Sequence, residues 1–301
     1  MSVACALATL STAHGANNPP PTYANVSYGP HPEQLLDVYL PPGDGPFGVV
    51  VCFNAIWVSK KEVPGYGFSQ WFPKQIAMVS IQTRGMNQAM TEKEPVPISY
   101  VLSDARRGLK FVQLHAKEWH IDTNRIGTMG GSQSCIPSFY AALTAGKVDP
   151  GSTDPVERES VKVKAIGFMR GPGSIDPKRL KSWNPSPLAD WGAPAWGCNF
   201  QESLKRYDEL QPVISKWSPE YFVTKDTPPM FIENEWGLTK PADEKITLAN
   251  YSVHSPLWGI GLKKYVEQFG VTCYQKYKGH PPEKYVNMWD FLAKRLQATP
   301  E

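Results

Sequence analysis

No stretch of this 301-residue chain is apolar for long enough to span a bilayer, which takes roughly 20 consecutive residues. No long run of like charge appears either. Lys and Arg number 31 against 28 Asp and Glu, a formal net charge of +3. The concentrated basic face that binds phosphate backbones is therefore missing, and no nucleic-acid partner is expected. Cysteine is sparse: Cys5, Cys52, Cys135, Cys198 and Cys273 are scattered, with no CxxC pair. That spacing excludes the common zinc arrangements, so no metal site is expected. Cys52 lies in an apolar run and reads as a small buried hydrophobe. There is no internal repeat and no low-complexity tract.

What is present suits one large globular core, alone or with an inserted cap. Hydrophobic residues make up 41% of the chain and aromatics 12%, enough for a core of that size. The 29 prolines favour decorated connections over a helical bundle. The first ten residues, Met1 to Leu10, are small and apolar. They run through Gly15 into the polar, Pro-rich Asn17–Pro21. Residues 1–21 read as the end of a secretory leader without the usual basic start. A secreted or periplasmic protein is the expectation, with the globular domain at residues 22–301.

Within that domain, residues 22–40 read as extended. Gly48–Phe53 and Ile76–Ile81 are continuous apolar runs, suited to strands buried on both faces. Val101–His120 has helical periodicity with one apolar face. Arg125–Met129 is a short strand, and Ser134–Ala145 a helix. Further strands are expected at Val161–Phe168, Pro228–Glu233 and Val271–Tyr277, with helices at Leu257–Phe269 and Tyr285–Leu296. Strands alternating with helices predict an α/β fold with a mainly parallel sheet. Residues 170–222 break the pattern. They hold Trp183, Trp191, Trp196 and Trp217 among many Gly and Pro. This segment reads as a cap-like insertion over the C-terminal edge of the sheet, where open α/β folds bind ligands. Its tryptophans are expected to form a small core of its own.

The central motif is Gly130-Gly131-Ser132-Gln133-Ser134, set between a short strand and a helix. A sharp strand-to-helix turn lifts a serine hydroxyl above the sheet, and only small neighbours fit there. The motif is a G-x-S-x-G in which Ser134 replaces the last glycine.

Longer segments carry a family likeness. Leu36–Pro42, Asp104–Phe111, Ile121–Gly127, Ser218–Met230, His254–Pro256 and Phe269–Val271 occur in the order found in one branch of the α/β-hydrolases. The chain resembles the esterase/lipase branch related to hormone-sensitive lipase and to bacterial feruloyl and acetylxylan esterases. The likeness covers most of residues 35–296 outside the Trp-rich segment. It implies Ser132 as nucleophile and His280, in the loop after the last strand, as its general base. A serine needs such a base within hydrogen-bond reach. His115 and His120 fall on the amphipathic helix, His14 and His31 precede the core, and His254 falls where the family often carries a structural residue.

The family's acid follows the Pro228–Glu233 strand. Counting forward lands on Leu238 and counting back lands near Asn250, neither of them acidic. Asp243 is the first candidate in the lengthened loop and Glu235 the second. An asparagine orients a ring but does not stabilise an imidazolium by charge. The oxyanion hole departs too. Where the family shows H-G-G-G-W, this chain has Asn54-Ala55-Ile56-Trp57. The expected donors are the N–H groups of Gln133, Ala55 and Ile56, with the Asn54 amide as an addition.

These features imply a serine esterase without metal or organic cofactor, acting on small-molecule or carbohydrate esters, either acylated plant polysaccharide or short-chain esters. The alternative is a catalytically silent α/β-hydrolase relative that binds a small ligand. A peptidase of the prolyl oligopeptidase kind shares the motif order, but this chain has no room for its propeller.

Overall fold

The computed structural model describes residues 19–56, 67–189 and 194–298. Residues 1–18 of the expected leader, Trp57 and Trp191 lie outside the described residues. Eight strands form a single sheet: β1 (Tyr23–Ser27), β2 (Leu35–Tyr39), β3 (Phe47–Phe53), β4 (Ile76–Ile81), β5 (Ile121–Gly131), β6 (Val163–Met169), β7 (Met230–Glu233) and β8 (Cys273–Lys276). Their order across the sheet is β1-β2-β4-β3-β5-β6-β7-β8. The pairs β1/β2 and β2/β4 are antiparallel, and every pair from β4 onward is parallel.

Every residue of β3 and of β4 is buried. That is why both read as unbroken apolar runs: helices cover the two faces, so no strand position meets water. The helices include α1 (Phe68–Trp71), α2 (Met86–Thr91), α3 (Ile98–Leu114), α4 (Cys135–Thr144), α5 (Pro177–Trp183), α6 (Phe200–Lys205), α7 (Tyr207–Trp217), α8 (Leu248–Val253), α9 (Leu257–Glu267) and α10 (Met288–Leu296). One face packs α3, α4 and α9 on Val49, Val51, Ile126 and Ile166. The other packs α10, through Phe291, Leu292 and Leu296, on Val50, Met78 and Met129. Burying each such α10 side chain contributes roughly 1.5–3 kcal/mol.

Residues 170–222 contribute no strand among the described residues, and the sheet closes without them. Although the segment shows no clear period in sequence, α5, α6 and α7 lie there. Asp176 and Asn199 start α5 and α6 by accepting N–H groups of the first turn. Trp196, Phe200, Leu210 and Ile214 are buried in one cluster with Ile56, Met86, Val101, Ile136 and Trp258. Trp183 and Trp217 are partly buried against it. The segment's aromatics thus share a core with α3, α4 and α9, rather than holding one of their own.

Beneath this segment lies a buried polar knot. Glu220, fully buried, accepts 2.6 Å hydrogen bonds from the hydroxyls of Ser174 and Ser218. It lies 3.3 Å from Nε of Arg179. Asp176 accepts from Tyr207 and Tyr221 at 2.8 and 2.7 Å. Charges this deep persist only when paired and hydrogen-bonded. The knot ties α5 and α7 to the chain entering β7. Among the described residues no helix is long and apolar enough to cross a membrane.

Candidate active site

Strand β5 ends in Gly130-Gly131, and the chain turns at Ser132 into α4. The turn is sharp because Ser132 takes the left-handed backbone, φ 52°. That conformation costs a non-glycine residue on the order of 1 kcal/mol or more, and such residues cluster at functional sites. The neighbours must be small. A Cβ on Gly130 would lie 2.5 Å from the carbonyl oxygen of Ser134, and one on Gly171 would lie 2.1 Å from that of Ser132. Ser134, in place of the motif's last glycine, has an ordinary helical φ of −72°. Its hydroxyl accepts from Gly131 N–H and donates to the Gly131 carbonyl, both at 2.8 Å. The substitution therefore clamps the turn instead of straining it.

The Ser132 hydroxyl meets a histidine, but not His280. Its Oγ lies 2.8 Å from Nε2 of His254. His280 instead stacks on Tyr277 at 4.9 Å, in a tight turn where Tyr277 and His280 bond backbone to backbone. Expecting His280 as the serine's partner is thereby corrected. The turn folds its ring back on the end of β8, while the longer connection after β7 delivers a histidine to Ser132. His254 is the C-terminal cap of α8, and its carbonyl accepts a 2.7 Å bond from the Asn234 side chain. Trp236 stands edge-on to the imidazole at 6.0 Å.

On its other side, Nδ1 of His254 faces the backbone carbonyl of Asn250 at 3.0 Å and the Asn250 side-chain oxygen at 3.3 Å. Both atoms only accept, so Nδ1 carries the proton and Nε2 is left to accept from Ser132. Neither predicted acid is here. Asp243 is exposed and caps its own loop through Lys245 N–H. Glu235 pairs with Arg170 at 2.6 Å. The lengthened loop spends both carboxylates on local partners, so the ring is oriented by α8 itself. Burial, with the nearby Arg170 charge second, pushes the His254 pKa down to about 4, against a smaller upward pull from the Asn250 carbonyl. The ring is neutral near pH 7, as a proton acceptor must be.

Of the expected oxyanion donors, Gln133 stands in the first turn running into α4, where N–H groups have no intrahelical acceptor. Ile56 is buried in the cluster that also contains Ile136 of α4, and its carbonyl accepts from Met86 N–H at 2.9 Å. Ala55 is half-buried beside it. The Asn54 side-chain oxygen is taken by Thr83, whose N–H lies 2.9 Å away. Asn54 thus pins the loop to the end of β4. Cys135, next to the site, is buried and its thiol is pushed up to about 12, which removes it as a nucleophile. Among the described residues no three His, Cys, Asp or Glu side chains gather as a metal site.

Arg170 is not singled out by the sequence, His254 is assigned there a structural place, and Asn250 is reached by counting back and set aside as not acidic; the structure brings all three to the site. One local signal pointed to His254 and Asn250: Thr247 is a helix cap accepting from Asn250 N–H, and Asn250 and His254 are four apart, one helical turn. A hydroxyl that donates to a neutral, oriented imidazole is the arrangement in which serine becomes nucleophilic.

A model of the BD-FAE family matches residues 36–235, about two thirds of the chain. No curated protein matches the sequence. Solved structures share the fold. A truncated carbohydrate esterase from gut microbiota superposes with a TM-score of 0.59 at 18% identity, over 85% of this chain and 86% of that one. Esterase B from Lactobacillus rhamnosis HN001 gives 0.58 at 13%, over 87% and 76%. A bifunctional GH43-CE protein of Bacteroides eggerthii gives 0.54 at 23%, over 82% of this chain but 37% of that one.

Proposed function

Because the chain belongs to the BD-FAE family, an α/β-hydrolase family, we propose that it is a serine hydrolase cleaving carboxylic esters through an acyl-enzyme. The observation that carries this reading is the 2.8 Å contact between Ser132 Oγ and His254 Nε2, on a turn that holds the serine in a left-handed backbone. Ser132 attacks the ester carbonyl while Nε2 takes its proton. The imidazolium then protonates the departing alcohol. Water enters by the same route reversed and frees the acid. The N–H of Gln133, with Ala55 and Ile56, holds the tetrahedral oxyanion.

What replaces the triad acid is the end of α8. The negative pole of a helix lies at its C-terminus, and the Asn250 carbonyl there accepts from Nδ1. This fixes the tautomer but lends the imidazolium only a partial charge. The enzyme is therefore a slow one, its proton transfers running on a dyad. The substrate class is an ester of a carbohydrate or a short-chain acid, a reading supported by the carbohydrate esterase and the esterase that share the fold.

One observation favours the rival, a ligand-binding relative without turnover: the ring that would carry charge faces an asparagine and an arginine. Labelling with a fluorophosphonate separates the two. The hydrolase reading expects covalent labelling of the parent protein and none of Ser132→Ala. A parent protein that stays unlabelled leaves only the binding role.

A further inference from the structure

Three parallel strands end level at the site. Gly131 of β5 pairs with Met169 of β6, and Met169 pairs with Glu233 of β7. The next residues along this row are Ser132, Arg170 and Asn234, on strands about 4.8 Å apart. Ser132 carries the hydroxyl, and Asn234 holds the His254 carbonyl. Arg170 stands between them with no part in the chemistry so far.

Its backbone is left-handed, φ 54°, like that of Ser132. Its N–H donates to the Glu233 carbonyl at 3.0 Å, and Gly171 after it runs so close to the Ser132 carbonyl that an added Cβ would lie 2.1 Å from its oxygen. The root of this side chain is therefore fixed beside the nucleophile at a cost in backbone strain. The guanidinium lies 5.8 Å from the centre of the Trp236 ring, the ring that stands edge-on to His254. The arginine side chain is 15% exposed, whereas its partner Glu235 is 50% exposed.

We propose that Arg170 is a specificity-determining residue: it anchors a carboxylate carried by the ester substrate near its scissile carbonyl, in the place Glu235 fills when no substrate is bound. This rests on the hydrolase reading. A guanidinium binds a carboxylate through two parallel N–H bonds, so the ligand class follows from the donor geometry. Glu235 is a suitable placeholder, because an ion pair with one solvent-exposed partner contributes little and is readily exchanged. The mostly buried guanidinium rewards a ligand more than an exposed one would.

The test compares 4-nitrophenyl hydrogen glutarate with 4-nitrophenyl valerate, which differ in a terminal carboxylate, as the ratio of their kcat/KM values. The ratio cancels any general effect of a mutation on the dyad. Arg170→Gln is expected to lower it about tenfold to 100-fold, the worth of a charge-assisted hydrogen bond. Glu235→Gln, which keeps Arg170 and removes the placeholder, is expected to raise it. A ratio unchanged in Arg170→Gln overturns the proposal. If the parent protein hydrolyses neither ester, the hydrolase reading fails, and calorimetry decides on the anchor alone. Monomethyl glutarate should bind Ser132→Ala and not the Ser132→Ala, Arg170→Gln double variant. Absence of binding to Ser132→Ala overturns the anchor, as does equal binding to both.

Discussion

The imidazole of His254 hydrogen-bonds through Nδ1 to the carbonyl of Asn250, 3.0 Å away and one helical turn earlier. Base and orienting group thus sit on one short helix, α8. They reach Ser132 from the connection after β7, not from the loop after β8. The arrangement keeps the tautomer that a serine needs and gives up most of the charge that a triad acid supplies.

Restoring that charge should speed the reaction. Asn250→Asp puts a carboxylate where the side-chain oxygen already lies 3.3 Å from Nδ1. We expect kcat on a short-chain aryl ester to rise about tenfold, one pKa unit of imidazolium stabilisation. The acid limb of the pH–rate profile should move upward at the same time. A variant no faster than the parent would show that the Asn250 carbonyl already suffices.

The parent's own acid limb should be low. His254 must be neutral to accept a proton, and its pKa lies at about 4. The prediction is that kcat/KM stays level from about pH 8 down to about pH 5 and halves near pH 4. The same group links to stability. Its folded pKa is below the ordinary value of 6.5, so between pH 6.5 and 4 the unfolded chain binds the proton and the folded one does not. This group's contribution therefore falls on acidification through that window, by about 3 kcal/mol in all. Urea titrations of the parent and His254→Gln, compared at pH 7 and pH 4.5, measure it; equal losses in the two would contradict it.

Gly171→Ala should disable the site without touching a side chain that does chemistry. The new Cβ would meet the Ser132 carbonyl oxygen at 2.1 Å and Cys135 Sγ at 2.5 Å. Neither atom yields cheaply, so the serine turn must shift. A misplacement of about 1 Å costs on the order of 100-fold in rate. The variant's circular dichroism should stay native while its turnover collapses.

Glu220→Ala tests what holds the Trp-rich segment down. Removing one member of a buried, paired network leaves Arg179 without its counter-ion and two serine hydroxyls without their acceptor. The expected loss is about 3 kcal/mol of unfolding free energy, read from denaturant titration. A loss under about 0.5 kcal/mol would mean that the knot is dispensable.

Much of the fold was legible because burial leaves a plain mark. Phe47–Phe53 and Ile76–Ile81 are buried at every position, and Gly-Gly-Ser between strand and helix has a steric reason to be there. The base was not legible. His280 and His254 each follow a strand of the parallel set, and only three-dimensional loop paths decide which ring reaches Ser132. Six-residue α8 has too few positions to show a period, which hid the turn joining Asn250 to His254. Arg170 was hidden for a related reason: left-handed backbone at an arginine leaves no trace in composition, and its place beside Ser132 comes from strand register.

The most direct test of the account compares two histidine variants under one assay. Turnover of a short-chain aryl ester is measured for His254→Ala and His280→Ala beside the parent. The account predicts that His254→Ala loses at least about 10³-fold in kcat, the scale of removing a general base, while His280→Ala stays within about twofold, the usual reach of a surface change. The reverse pattern, with His280→Ala inactive and His254→Ala active, would contradict it.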